Sequence, residues 1–219
     1  MTKIPQLKLS VLDQSPIRSG GSAVESINES IELAKACEEA GYNRYWLAEH
    51  HGTPSHAGPA PEIMITRIAA ETKKIRVGSG GVMLGHYSPL KVAETFSVLE
   101  SLYPGRIDLG IGRAPGSDQL TAAALAYGSE IGVEYFPTRV ADLMAFLGNG
   151  EPSTKDFKRI KIVPKPNKPP QMWMLGSSDQ SALMAAQFGL AFSFAHFIVQ
   201  EGGKRVLEDY RQRFQKSDF

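Results

Sequence analysis

Leu7-Lys-Leu-Ser-Val-Leu12 runs straight into Asp13-Gln-Ser-Pro16, and this junction decides between two ways of building the chain. The apolar run is brief and bounded by turn residues, so it reads as a strand. A dinucleotide-binding sheet would place G-x-G-x-x-G directly after its first strand. Here the turn is polar, and the later Gly110-Ile-Gly112-Arg-Ala-Pro-Gly116 has the wrong spacing and the wrong place. The open doubly wound sheet is therefore disfavoured, and a parallel β/α barrel is the expected architecture.

The rest of the chain repeats the same alternation. Ser22 and Glu25 form a capping box that opens a helix, with Val24, Ile27, Ile31, Ala34 and Cys37 on its apolar face and Gly41 at its end. Further strands are expected at Tyr45 to Ala48, Ile75 to Gly78, Arg106 to Gly110, Gln171 to Leu175 and Leu190 to Phe194. Between them lie helices opened by Pro61 and by Ser88-Pro89, the second stopped at Pro104-Gly105. Helical stretches follow around Leu120 to Ala126, Pro137 to Leu147 and Ala182 to Phe188, and a last one runs from about Glu201 to Phe214. Residues 148–170, rich in Pro, Lys and Asn, read as a surface excursion with one edge strand at Ile160 to Val163. Strands alternating with helices imply right-handed βαβ units and a parallel sheet. Six strands are found where a closed barrel has eight. The expectation is a single domain over residues 1–219, an incomplete barrel truncated at the C-terminus.

Composition narrows the function. The 219 residues carry 24 basic and 23 acidic side chains, interspersed, so no basic stripe points to nucleic acid or an anionic membrane. The N-terminus lacks a signal-peptide pattern, and no apolar run approaches the roughly 20 residues of a membrane span. A single cysteine, Cys37, cannot form an internal disulfide and reads as a small hydrophobe on a helix. A cytoplasmic protein is expected.

Chemistry concentrates after the strands, as it does at the carboxyl rim of a barrel. Trp46-Leu-Ala-Glu49-His50-His51 ends the second strand. Neighbouring strand side chains point to opposite faces, so His50 and His51 cannot both face the mouth, which argues against a metal pair. A histidine there, with Glu49 as an orienting partner, suits a general acid or base. Gly78-Ser-Gly80-Gly81 is either a flexible turn or a surface on which a planar ligand packs where a Cβ would intrude. Arg113, after Gly110-Ile-Gly112, is either a surface charge or a bidentate phosphate ligand. Gly176-Ser177-Ser178-Asp179-Gln180-Ser181 opens a helix, where free N–H groups and hydroxyls favour an anion, or where Ser178 or Asp179 simply caps.

Arg44 to His51, Ile75 to Leu84, Pro104 to Gly116 and Ala185 to Leu190 together resemble the bacterial luciferase-like flavin monooxygenases, in order and spacing, from residue 7 to about residue 215. The resemblance implies a TIM-type barrel that uses FMN, supplied reduced by a separate flavin reductase, and oxygen on a small organic substrate such as an aldehyde. It also implies a homodimer. It makes His50 the catalytic histidine and places Gly80 and Gly81 where luciferase has a non-proline cis peptide against the flavin. Gly112 replaces luciferase's reactive cysteine, Arg113 matches a phosphate-binding arginine, and Gly176, Ser177, Ser178 and Ser181 match the phosphate-binding turn. His196 stands where luciferase has a tryptophan near the ring, which sets light emission apart from flavin binding. Three alternatives stay open: a non-catalytic flavin-binding relative, a deazaflavin-dependent reductase on the same barrel, and a sugar-phosphate isomerase.

Overall fold

The structure, a computed structural model, describes residues 7–114, 116–127, 133–217 and 219. Its elements run β1 Ser10–Asp13, α1 Ala23–Glu39, β2 Arg44–Leu47, α2 Pro61–Glu71, β3 Arg76–Met83, α3 Pro89–Leu102, β4 Ile107–Gly112, α4 Gln119–Ala126, α5 Phe136–Phe146, β5 Gln171–Gly176, α6 Asp179–Phe188, β6 Ala191–Phe194 and α7 Gly203–Arg213. Short 3-10 turns occupy Leu84–His86, Val133–Tyr135 and Lys155–Arg159. The strands form one parallel sheet in the order β1-β2-β3-β4-β5-β6. This is a half-barrel with helices outside, and the expected incomplete barrel is what the described residues form.

Period-two alternation explains how the sheet is used. Tyr45, Leu47, Val77, Ile107, Leu109, Ile111, Met172 and Met174 face the helices and join Ile65, Ile68, Phe96, Leu99, Val140, Leu143 and Ala185 in one core. Phe96 is 1% exposed, a burial that contributes about 2–3 kcal/mol by itself. The alternate residues form the inner face, which is polar and aromatic. Asp108, fully buried, accepts from Arg44 Nε (2.9 Å), Arg76 Nε (2.8 Å) and Trp46 Nε1 (2.9 Å). Arg44 also donates to Gln171 Oε1 (2.9 Å) and lies over Trp173, whose ring meets Trp46 edge-on at 5.1 Å. This network floors the inside of the half-barrel below the strand ends.

The capping box forms as expected, with Ser22 N donating to Glu25 Oε2 (2.7 Å) and Glu25 N to Ser22 Oγ (3.2 Å). Cys37 is buried in the core, and burial pushes its thiol pKa up. Three expectations need correction. β1 begins at Ser10, because Leu7 and Leu9 are exposed beyond the last residue paired with β2. β3 extends to Met83, carried past its glycines by a register shift between Ser79 and Val82 against β4. Ile160 to Val163 is no strand. Its neighbours Pro164, Pro166, Pro169 and Pro170 offer no N–H to a ladder, and Val163 lies exposed over the groove between α2 and α3. No helix among the described residues is long and apolar enough to cross a membrane.

Candidate functional site

Parallel strands bring all their carboxyl ends to one rim, and the clusters singled out in the sequence stand there except Gly78 to Gly81, which lies within β3. After β2 the chain is held extended: Ala48 N donates to Asp13 O (2.9 Å), His50 N to Gly58 O (3.1 Å) and His51 N to Gly116 O (3.2 Å). Gly116 has φ +62°, and a Cβ there would press to 3.0 Å from Glu49 O, so glycine is required where this loop meets β2. The two histidine rings part, as alternation demands. His50 stacks on His56 (4.6 Å between centroids, 25° between planes), which the bridge between Pro16 and His56 holds in place. The Nδ1 of His50 is buried with no hydrogen-bond partner among the described residues. Burial, then the neighbouring His56 and His51, lowers the His50 pKa below the ordinary histidine value, so the ring is neutral near pH 7.

Glu49 makes no direct hydrogen bond to His50. Its carboxylate, 1% exposed, accepts from His51 Nε2 at 2.7 Å and from the Tyr87 hydroxyl at 2.8 Å. The alternation that separated His50 from His51 also puts Glu49 and His51 on one side, two residues apart, so this pairing could have been read from the sequence. Tyr87 and His56 carried no such signal. Both arrive by loop geometry.

The Gly80–Gly81 peptide is cis, as expected. Clearance for a ligand is not what demands these glycines. A Cβ at Gly80 would meet Trp46 Cβ at 3.1 Å, and one at Gly81 would meet Gly110 O at 2.8 Å and Leu175 Cδ1 at 3.0 Å. Tight packing against Leu12 and Trp46 at Gly80, and against β4 and β5 at Gly81, therefore accounts for them. Gly112 ends β4, with Met83 Sδ 3.5 Å from where a Cβ would point.

Arg113, next along, donates from Nη1 to Gln180 Oε1 (2.9 Å), which places a permanent cation at the amino end of α6. At that end Ser178 is the N-cap, its Oγ accepting from Ser181 N at 3.3 Å. Capping is thus one of its roles. Ser177 and Ser178 are half-buried, Ser181 is buried, and a Cβ on Gly176 would collide with Ser181. Asp179 is turned to Arg205 (3.0 Å). His196 lies exposed just beyond β6, one residue after Ala195, whose N–H donates to Gly176 O (2.9 Å). The arrangement can accept an anion between Arg113 and the free N–H groups of α6, and can exchange a proton through a neutral histidine on the same rim. Among the described residues no group of three or more His, Cys, Asp or Glu is placed to hold a metal ion.

Fold and rim together define a β/α half-barrel with its polar chemistry at the strand carboxyl ends. The chain belongs to the luciferase-like monooxygenase family, whose model matches residues 7–218. It is 43% identical over 208 residues to an N-acetyl-S-alkylcysteine monooxygenase of Bacillus subtilis, covering 95% of this chain and 62% of that protein. The crystal structure of apo-MsnO8 superposes with a TM-score of 0.89 at 44% identity, covering 96% of this chain and 62% of the other. The oxygenating constituent of 3,6-diketocamphane monooxygenase from Pseudomonas putida, in complex with FMN, shares the fold at 20% identity (TM-score 0.73, covering 94% and 62%). This chain spans a little under two thirds of the length of the curated relatives it matches.

Proposed function

We propose that this chain supplies the flavin-holding face of an FMN-dependent monooxygenase acting on a small organic substrate such as an aldehyde. The observation that carries the reading is Arg113 drawn by Gln180 to the amino end of α6, beside Ser177, Ser178 and Ser181. A fixed cation, free helix N–H groups and hydroxyls meet there, which is the chemistry a phosphate monoester needs. Reduced FMN, when bound, supplies the electrons that activate oxygen. The chain's own residues do the rest. Arg113, with the α6 terminus and its serines, holds the phosphate, and the cis Gly80–Gly81 segment and Gly112 border the ring. His50, neutral and with a free buried nitrogen, takes up and returns a proton at Nδ1. Trp46 and Trp173, edge to face, give the reacting centre an aromatic floor. A separate flavin reductase delivers the reduced cofactor, the working protein is a cytoplasmic homodimer, and His196 stands near the ring.

Replacing Ser177 and Ser178 by Ala tests the cup. FMN affinity should fall by about 1–3 kcal/mol while riboflavin, which lacks the anion, is hardly affected. Equal weakening of both would make the serines caps or ring contacts. Binding of a deazaflavin cofactor in place of FMN would reassign the cup to a reductase. His50→Ala should keep FMN affinity and lower turnover by roughly two to four orders of magnitude.

A further inference from the structure

Glu49 is a nearly fully buried carboxylate beside the proposed acid/base, and that role leaves it without a task. Three donors converge on it from three segments of chain. His51 Nε2 (2.7 Å) and the Tyr87 hydroxyl (2.8 Å) reach Oε1, and Met83 N (3.1 Å), at the end of β3, reaches Oε2. A carboxylate out of water costs several kcal/mol unless such donors compensate it. Here they belong to the end of β2, the end of β3 and the turn leading into α3.

We propose that Glu49 is a positioning residue for His50: it fixes the proton of His51 on Nε2 and locks the ends of β2 and β3 together, so that the His50 ring is held to one orientation on the rim. The proposal rests on the reading of His50 as acid/base. The tautomer follows from donor and acceptor counting. An ionised carboxylate only accepts, and Tyr87 and His51 share one oxygen while lying 3.3 Å apart, so each must present a hydrogen to it. His51 then carries Nε2–H, and in the neutral form of the ring Nδ1 is left as the acceptor. Tyr87 stays a phenol, its pKa pushed up by burial and by the adjacent Glu49 charge. His50 sits between the two anchored residues, its own N–H is bound to Gly58 O, and its ring stacks on His56.

The wild-type protein gives the first readout, by long-range 15N–1H correlation spectra of its histidines. The expected result is His51 as the Nε2–H tautomer, and an Nδ1–H tautomer overturns the proposal. Glu49→Gln keeps the volume but, in its two amide orientations, sets the NH2 group either against Met83 N or against both His51 and Tyr87. Its expected signature is a mixed His51 tautomer, with kcat on an aldehyde lowered about ten-fold or more and FMN affinity changed less than about three-fold. Tyr87→Phe, which keeps the carboxylate, should preserve the Nε2–H tautomer. If Glu49→Gln leaves tautomer and turnover unchanged while His50→Ala abolishes turnover, the positioning role is wrong and the acid/base reading stands. If His50→Ala turns over normally while Glu49→Gln still shifts the tautomer, the acid/base reading fails, and the role in holding His50 for catalysis goes with it.

Discussion

Gly176→Ala probes the junction on which the proposed anion cup depends. A methyl at this last residue of β5 would overlap Ser181 Cβ and Oγ on the first turn of α6. Rotating Ser181 relieves the oxygen but not its Cβ, which is tied to the helix backbone. Ordinary carbon contacts lie at about 3.5–4.0 Å, so β5 and the start of α6 must separate by roughly 1 Å. Overpacking of that size costs about 1–3 kcal/mol. The separation also carries the free N–H groups of α6 away from Arg113, whose partner Gln180 moves with the helix. Urea unfolding should therefore show the loss in stability, and titration should show FMN weakened more than riboflavin. The double variant Gly176→Ala/Ser181→Gly removes the Cβ that the methyl meets and should recover most of the stability. A single variant as stable as wild type, or a double variant no better than the single, would refute the packing argument. Stability lost with no change in the FMN-to-riboflavin ratio would detach the junction from the phosphate.

Two further outcomes follow from the same geometry. His50 has a depressed pKa in the folded protein, so the unfolded chain takes up that proton first. Its contribution to stability is present above the unfolded value of about 6.5 and is lost as pH falls through the folded value; thermal melts at stepped pH should show a shallower acid slope for His50→Ala, and an identical slope would contradict it. Asp108→Asn removes the anion facing two guanidinium groups with the indole of Trp46. Breaking such a pair costs about 3–5 kcal/mol when buried, and the lower end is expected because Arg44 and Arg76 side chains keep 18% and 23% exposure. A urea-measured loss under about 1 kcal/mol would show the floor to be without structural weight.

How far the sequence could be read depends on the range of the interactions involved. Helix starts and stops are local, and Ser22 with Glu25, Pro61 and Pro104-Gly105 marked them correctly. Strand identity was legible from short apolar runs, and strand ends were not, because pairing sets them. β3 outlasts its apolar residues through Gly80 and Gly81 since β4 is there to bond it. Ile160 to Val163 has strand composition but no partner strand, and it stays irregular. At the rim, residue types pointed to the strand ends while pairings stayed hidden. Arg44 finds Asp108 across 64 residues and Arg113 finds Gln180 across 67, distances that only the sheet order brings to contact. Glu49 is the exception: its alternation with His51 is legible in the sequence, and its hydrogen bond goes there and not to His50.

The claim that a phosphate-bearing flavin sits on this rim is tested most directly by a crystal structure of the chain grown with FMN. The account predicts the phosphate between Arg113 and the amino end of α6, within hydrogen-bond distance of Ser177 or Ser178, with the ring bordered by Gly80–Gly81 and within reach of His50. FMN seated elsewhere, its phosphate away from Arg113, or no flavin bound at millimolar concentration would contradict it.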